Sequence, residues 1–300
     1  MSKEDTFPRQ YARTQRLTLG EPRDIRVSPD GARVLFLRSS SGDDAVNSLW
    51  SLDAVTGIET LLIDPRSIGG DTFGDLPAEE RARRERLREG AGGITSYATD
   101  VDFTRAVFTL AGRLYVASIG ADTEIAEVHL PHSVFDARPR PNSDEISYIS
   151  GGGVWITGTD GKSRRITADE GIDITWGMAE FVAAEEMGRQ QGYWWSPDGS
   201  RIALCRVDNT PLRTAWIGDA ANPESPPTAH RYPFAGTPNA HVEVHIHEVA
   251  TGITKPTPVN TSGEFEYISS VQWRDDSALV IGMLSRDQRS YEIVEIRPDD

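Results

Sequence analysis

The chain has 300 residues, 38% of them hydrophobic, which is enough to bury a sizeable core in a globular fold. Its 46 acidic residues outnumber 31 basic ones and leave a net charge of −15, which argues against nucleic acid and anionic membrane as partners. A single cysteine, Cys205, excludes an internal disulfide framework and agrees with a reducing compartment.

Residues 1–20 read as a polar extension. The opening Met1-Ser-Lys-Glu-Asp-Thr-Phe-Pro-Arg9 has neither the apolar core nor the cleavage site of a secretory signal. No apolar run approaches the roughly 20 residues that span a bilayer. The expectation is a soluble, cytoplasmic protein without a membrane partner.

From residue 21 onward the chain repeats a two-part unit. One part is a tight turn followed by an apolar strand, seen in Ser28-Pro-Asp-Gly-Ala-Arg-Val-Leu-Phe-Leu-Arg38 and again in Ser196-Pro-Asp-Gly-Ser-Arg-Ile-Ala-Leu-Cys-Arg206. Proline presets φ and glycine tolerates positive φ, so Pro-Asp-Gly suits such a turn. Looser copies begin near Asp102, Arg140 and Trp273. The other part is a pair of strands, as in Leu49–Leu62, Leu114–Ile119, Val154–Gly161, Val242–Gly252 and Tyr291–Ile296. Together they make five units, near residues 25–63, 100–128, 137–167, 192–257 and 270–300. Repeats of about 40–50 residues with four short strands point to an all-β fold of the β-propeller type. A plain β-sandwich leaves the recurring Ser-Pro-Asp-Gly unexplained.

One insertion is not β. Residues Leu76-Pro-Ala-Glu-Glu-Arg-Ala-Arg-Arg-Glu-Arg-Leu-Arg-Glu89 read as a polar helix, with Pro77, Glu79 and Glu80 in the first turn. Glu80 and Arg84 fall at i,i+4 spacing, as do Arg81 and Glu85. Without an apolar stripe, such a helix is solvated or lines a wet cavity.

The segment Ala179-Glu-Phe-Val-Ala-Ala-Glu-Glu-Met-Gly-Arg189 carries adjacent carboxylates, Glu185 and Glu186, just before the strand opened by Tyr193-Trp-Trp195. Other adjacent acids, Asp43-Asp44, Glu79-Glu80 and Asp275-Asp276, lack this apolar and aromatic frame. Neighbours on a straight strand point to opposite faces, so convergence of the two glutamates requires a helical turn or a kinked loop, and Ala183–Met187 is compatible with a helical turn. Converged, they suit a small cation such as a peptide's α-ammonium group, through charge-assisted hydrogen bonds. The bland alternatives are a solvated surface pair, which is the usual fate of adjacent acids, and a pairing of Arg189 with one of the two carboxylates. Trp194 and Trp195 read as core. His241, His245 and His247 alternate with apolar residues, which puts them on the polar, solvated face of one strand. No Gly-x-Ser-x-Gly elbow, phosphate loop, HExxH or CxxC occurs. Neither a metal nor another cofactor is expected.

Three motifs carry a family resemblance. Glu180-Phe-Val-Ala-Ala-Glu-Glu-Met-Gly-Arg189 followed by Gly192-Tyr-Trp-Trp-Ser-Pro-Asp-Gly199 resembles the dipeptidyl peptidase IV branch of the prolyl oligopeptidase family. So does Arg231-Tyr-Pro-Phe-Ala-Gly-Thr-Pro-Asn-Ala240. Arg84-Glu-Arg-Leu-Arg88 with Gly93-Ile-Thr-Ser-Tyr97 resembles the arginine-bearing segment of its cytosolic members. The resemblance implies a serine exopeptidase that releases N-terminal dipeptides with proline or alanine second. It implies that residues 21–300 are part of the N-terminal propeller, about five blades of eight. The remaining blades and the C-terminal α/β-hydrolase domain, which carries the catalytic Ser, Asp and His, would lie elsewhere. Glu185 and Glu186 would bind the substrate's terminal amine, and Arg84 or Arg86 its second residue's carbonyl. The partners implied are peptides with a free N-terminus, the absent hydrolase domain and a second copy in a homodimer. Two alternatives stand beside it: a stand-alone interaction propeller, and an endopeptidase or acylaminoacyl peptidase of the same family.

Overall fold

Antiparallel strands dominate the computed structural model, which describes residues 6–69, 76, 80–81, 84, 90–120, 122–275 and 278–298. The chain divides into two units, Met1–Ser150 with Ile156–Arg164, and Gly151–Trp155 with Arg165–Asp300. The first opens with a short helix, α1 (Phe7–Arg13), within the segment expected to be a plain extension. Its first sheet holds β1 (Arg23–Val27), β2 (Arg33–Ser39), β3 (Val46–Asp53) and β4 (Glu59–Ile63) in that order. A two-residue strand, β5 (Gly92–Gly93), runs parallel to β3. The second sheet follows as β6 (Tyr97–Thr99), β7 (Arg105–Leu110), β8 (Arg113–Ser118) and β9 (Ile125–Val128). Leu35, Leu37 and Leu49 of the first sheet share one core with Phe108 and Tyr115 of the second.

A third sheet, β10 (Phe135–Pro139), β11 (Ile146–Ser150), β12 (Gly153–Thr157) and β13 (Ser163–Arg165), is crossed by the division between the units. The second unit then contains β14 (Ile174–Trp176), α2 (Phe181–Glu186), β15 (Tyr193–Trp195) and β16 (Arg201–Asp208). A separate hairpin, β17 (Arg213–Ile217) with β18 (Thr228–Tyr232), precedes β19 (His241–Glu248) and β20 (Ile253–Asn260). The fourth sheet runs β14-β16-β19-β20, with β15 also on β16. The β16–β19 register is unbroken from Arg201↔Glu248 to Asp208↔His241. The last sheet is β21 (Tyr267–Asp275), β22 (Ala278–Leu284) and β23 (Tyr291–Ile296). Ile202, Ala203, Leu204 and Cys205 are all fully buried, so β16 is covered on both faces. Each large apolar side chain so buried contributes roughly 1.5–3 kcal/mol.

The five units anticipated from the sequence correspond to these five sheets, with one boundary moved: the fourth sheet begins at Ile174 rather than near 192. No helix among the described residues is long and apolar enough to cross a membrane. Most of the anticipated helix at 76–89 lies outside the described residues; Glu80, Arg81 and Arg84 are helical.

The repeated turns are built alike. Ser28 Oγ donates to Asp30 Oδ1 at 2.6 Å and accepts from Arg33 N at 2.9 Å. Ser196 Oγ makes the same bonds to Asp198 and from Arg201 N, at 2.6 and 2.9 Å. Gly31 and Gly199 sit at φ +71° and +73°, where a side chain is strained. A copy missed in the sequence follows β22: Ser285 Oγ donates to Asp287 at 2.7 Å and accepts from Ser290 N at 3.0 Å. There Gln288 holds the left-handed position at φ +58°, and Phe103 does so at φ +56° in the turn before β7.

Ser196 is fully buried, and its loss orphans the Arg201 N–H. Ser196→Ala should therefore lower stability by roughly 1–3 kcal/mol, read as a reduced urea midpoint at unchanged m. Burial works to raise the Asp198 pKa, but hydrogen bonds from Ser196 and Ser200 outweigh it and hold the carboxyl below its ordinary value. A carboxyl depressed in the folded state contributes stability that is lost as pH falls through its folded pKa. The thermal midpoint should fall as pH drops below about 5. The fall should be shallower in Asp198→Asn, by calorimetry across a pH series.

Candidate functional site

Met178 and Gln191 form an isolated antiparallel bridge that closes the neck of a loop between β14 and β15. The neck is tight: a Cβ on Gly192 would collide with the backbone of Met178. Within the loop stands α2, whose six residues are too few for a helix to be stable by itself. Ala183 and Ala184 face inward and are buried, while Glu185 and Glu186 are exposed. The helical turn required for the glutamates to share one side is therefore present, since successive residues are about 100° apart around the axis.

Local groups complete the helix end. Gly188 reverses the chain at φ +67°, and Arg189 N–H donates back to Ala183 O at 3.0 Å. Gln190 Nε2 donates to Ala184 O at 2.7 Å. The Glu185 and Glu186 carboxylates, in contrast, have no hydrogen-bond or ion-pair partner among the described residues. No basic residue occupies the last turn. Two carboxylates at the negative end of a helix are unfavourably placed, by about 0.3–1 kcal/mol each, and a cation would relieve them.

Arg189 does not pair with either glutamate, contrary to the alternative drawn from the sequence. Its guanidinium turns inward, donating from Nη2 to Glu180 at 2.5 Å, from Nε to Ile268 O at 2.8 Å and from Nη1 to Gln191 O at 2.8 Å. Both members of the pair are 7% exposed. Burial disfavours the Arg189 cation, but the Glu180 charge beside it more than compensates and raises its pKa. The sequence signal for this pair was the i, i+9 spacing of opposite charges flanking an apolar helix, which no simple periodicity picks out.

The downstream motif flanks the same loop and touches it through Tyr232. Arg231 forks onto Asp173 at 2.9 and 2.8 Å. Tyr232 meets Phe181 of α2 edge to face at 5.0 Å, and Phe234 meets Tyr232 in the same way. Asn239 donates to Glu266 at 2.9 Å. Trp194 packs at the margin of the second unit's core, and its carbonyl accepts from Trp273 Nε1 at 3.0 Å.

Arg84 belongs to the first unit, where its Nε donates to Glu80 at 2.8 Å with side-chain exposures of 12% and 4%. This pair is buried rather than solvated. Arg86 lies outside the described residues. Two of the three histidines also depart from the expected solvated face. His247 is buried with Nδ1 2.9 Å from Thr254 Oγ1, and His245 lies 3.3 Å from Glu243 with the Trp176 ring edge-on at 4.8 Å. Strand β20 and Trp176 cover this face, and burial lowers the His245 pKa against the opposing pull of Glu243. Among the described residues no three His, Cys, Asp or Glu side chains are arranged to hold a metal ion. A groove of about 840 Å³ in the first unit is lined by the Ser28–Arg33 turn and by residues 102–104. Of its three acids, Asp30, Asp53 and Asp102, the first two are engaged by their own turns.

Residues 108–299 match the model of the family described as the dipeptidyl peptidase IV (DPP IV) N-terminal region. The chain belongs to this family. It is 30% identical over 167 residues to the dipeptidyl peptidase 4 of Trichophyton rubrum, an overlap of 52% of this chain and 21% of that protein. It is 28% identical over 166 residues to a probable dipeptidyl peptidase 4 of Neosartorya fischeri, covering 52% and 22%. The matched segment is thus about a fifth of these relatives' length. The crystal structure of Porphyromonas gingivalis dipeptidyl peptidase 4 superposes with a TM-score of 0.66 at 19% identity, covering 92% of this chain and 38% of that one. That likeness concerns the fold.

Cys205 is fully buried, and burial pushes its thiol pKa up to about 11 even though Arg189 opposes the rise. It should resist iodoacetamide at pH 8 in the folded protein and react once the protein is unfolded in urea, as read by mass spectrometry. Labelling at the rate of a free thiol in the native state would show that the Arg189 chamber opens to solvent.

Proposed function

We propose that this chain is the N-terminus-recognising propeller portion of a serine exopeptidase that releases dipeptides from peptide amino ends. The observation that carries the reading is the pair Glu185 and Glu186, exposed and unpaired at the end of α2 inside a member of the dipeptidyl peptidase IV N-terminal family. Such a pair accepts an α-ammonium group from two sides, and a charge-assisted bond is roughly twice as strong as a neutral one. In this reading the five sheets are blades, and Arg84 or Arg86 contacts the carbonyl of the substrate's second residue. The nucleophile comes from an α/β-hydrolase domain outside these residues. Fixing the amine at a set distance from that nucleophile is what limits the product to a dipeptide. A soluble cytoplasmic enzyme with no cofactor fits the composition.

One observation favours a second reading, an interaction scaffold: the β17–β18 hairpin exposes Trp216 and Ile217 by 66% and 60%. Large exposed apolar groups of this kind mark protein contacts. The two readings part on activity. The full-length protein should hydrolyse Gly-Pro-p-nitroanilide and leave its N-acetyl form intact. Where the bound peptide and the hydrolase domain exclude water from the two carboxylates, losing one of them strands an ammonium at roughly 2–5 kcal/mol. Glu185→Gln and Glu186→Gln should therefore each lower kcat/KM by about 30- to 5000-fold. Equal kinetics in wild type and both variants would reject the amine-anchor role, and cleavage of the acetylated substrate would favour an acylaminoacyl peptidase.

A further inference from the structure

We infer that the buried Glu180–Arg189 ion pair is the positioning device of the glutamate pair, an inference that rests on the amine-anchor reading above. Among the described residues it links the start of α2 to its end. Glu180 immediately precedes the helix, yet its side chain makes no capping bond to the helix N-terminus. It turns instead across the loop to Arg189, which follows the helix. The Arg189 main chain closes the helix end on Ala183, and its side chain fastens the loop to Ile268 of β21 and to Gln191 at the neck. One residue thus ties the start of α2, its end, the neck of the loop and the neighbouring sheet.

The physical need for such a clamp is plain. Six residues do not sustain a helix, and Glu185 and Glu186 oppose its dipole without any base in the last turn. Free of restraint, the two carboxylates would separate, which would cost the site its ability to hold one cation between them. The inward-facing Ala183 and Ala184 contribute little apolar area, and the Phe181 ring packs on Tyr232 at the opposite end of the helix from the glutamates, so apolar packing holds the start of α2 better than its end. A forked, permanently charged guanidinium supplies direction as well as attraction, and a lysine would supply only the charge. Being buried, the pair is a positioning device and not a ligand contact. It acts through the two glutamates.

The test compares two ligands on the full-length protein: glycyl-proline, and N-acetylproline, which is the same molecule with hydrogen in place of the amino group. Their dissociation constants are measured by calorimetry for the wild type, Arg189→Lys, the double variant Glu180→Leu/Arg189→Met and the double variant Glu185→Gln/Glu186→Gln. Exchanging a buried ion pair for apolar side chains of similar volume is often neutral for stability. The Glu180→Leu/Arg189→Met protein is thus expected to unfold near the wild-type midpoint. The preference for glycyl-proline should fall by about tenfold or more in both Arg189 variants. Purely structural damage would weaken both ligands equally and leave the ratio intact. A ratio preserved in the Arg189 variants but lost in Glu185→Gln/Glu186→Gln overturns the positioning role. A ratio that is unchanged in Glu185→Gln/Glu186→Gln, or absent in the wild type, overturns the amine-anchor reading itself. Arg189→Lys carries the comparison alone if the apolar double variant does not fold.

Discussion

Burial of both faces of short antiparallel sheets is the constraint on which the rest of this protein depends. β11 is buried along its whole length, and β16 along four consecutive residues. A four-stranded sheet cannot cover two apolar faces by itself, so neighbouring sheets must share a core. Leu35 and Leu49 do so with Phe108 in the first unit, as Val244 and Cys205 do with Ile281 in the second. Polar groups are driven to the strand ends and the loops between them. Function is left to those loops, because only there can a charged side chain stay wet while its backbone stays fixed.

The α2 loop shows how that fixing is done with charges rather than apolar area. Two opposite charges of the loop, Glu180 and Arg189, are sacrificed to the interior, and two like charges, Glu185 and Glu186, are kept outside. Desolvation weighs heavily on the inner pair, which is stable only because every arm of the guanidinium finds an acceptor. Cys205, whose sulfur lies 3.8 Å from Arg189 Nη1, completes this chamber. Its thiol therefore reads as a neutral wall of the clamp and not as a nucleophile.

How much of this was legible in the sequence depends on whether the determinant was local. The Ser-Pro-Asp-Gly turns could be read because serine, aspartate and glycine each act within five residues, and the two copies are alike down to the hydrogen bonds. The copy at Ser285 was invisible because Gln288 replaces glycine at the left-handed position, and only its hydrogen bonds reveal it. The same limit hid the bulged first strands, where Asp24 and Asp136 take positive φ and each pairs with the arginine two residues on. The helical turn at Glu185 was legible, since alanine pairs are local signals. The partner of Arg189 was not, because choosing Glu180 over two nearer glutamates depends on which side of the helix faces Ile268, a contact 79 residues away.

That choice explains why the nearest opposite charge is a poor guide in a loop of this kind. A surface pair between Arg189 and Glu185 or Glu186 would gain little, since exposed ion pairs are worth about 0–1 kcal/mol. It would also neutralise one of the two exposed carboxylates. An inward arginine gains two main-chain acceptors as well as a carboxylate, and the helix gains a support that water cannot displace. Energetics thus selects the inward rotamer of this one residue. The openness of the two carboxylates follows from where the neighbouring arginine is buried.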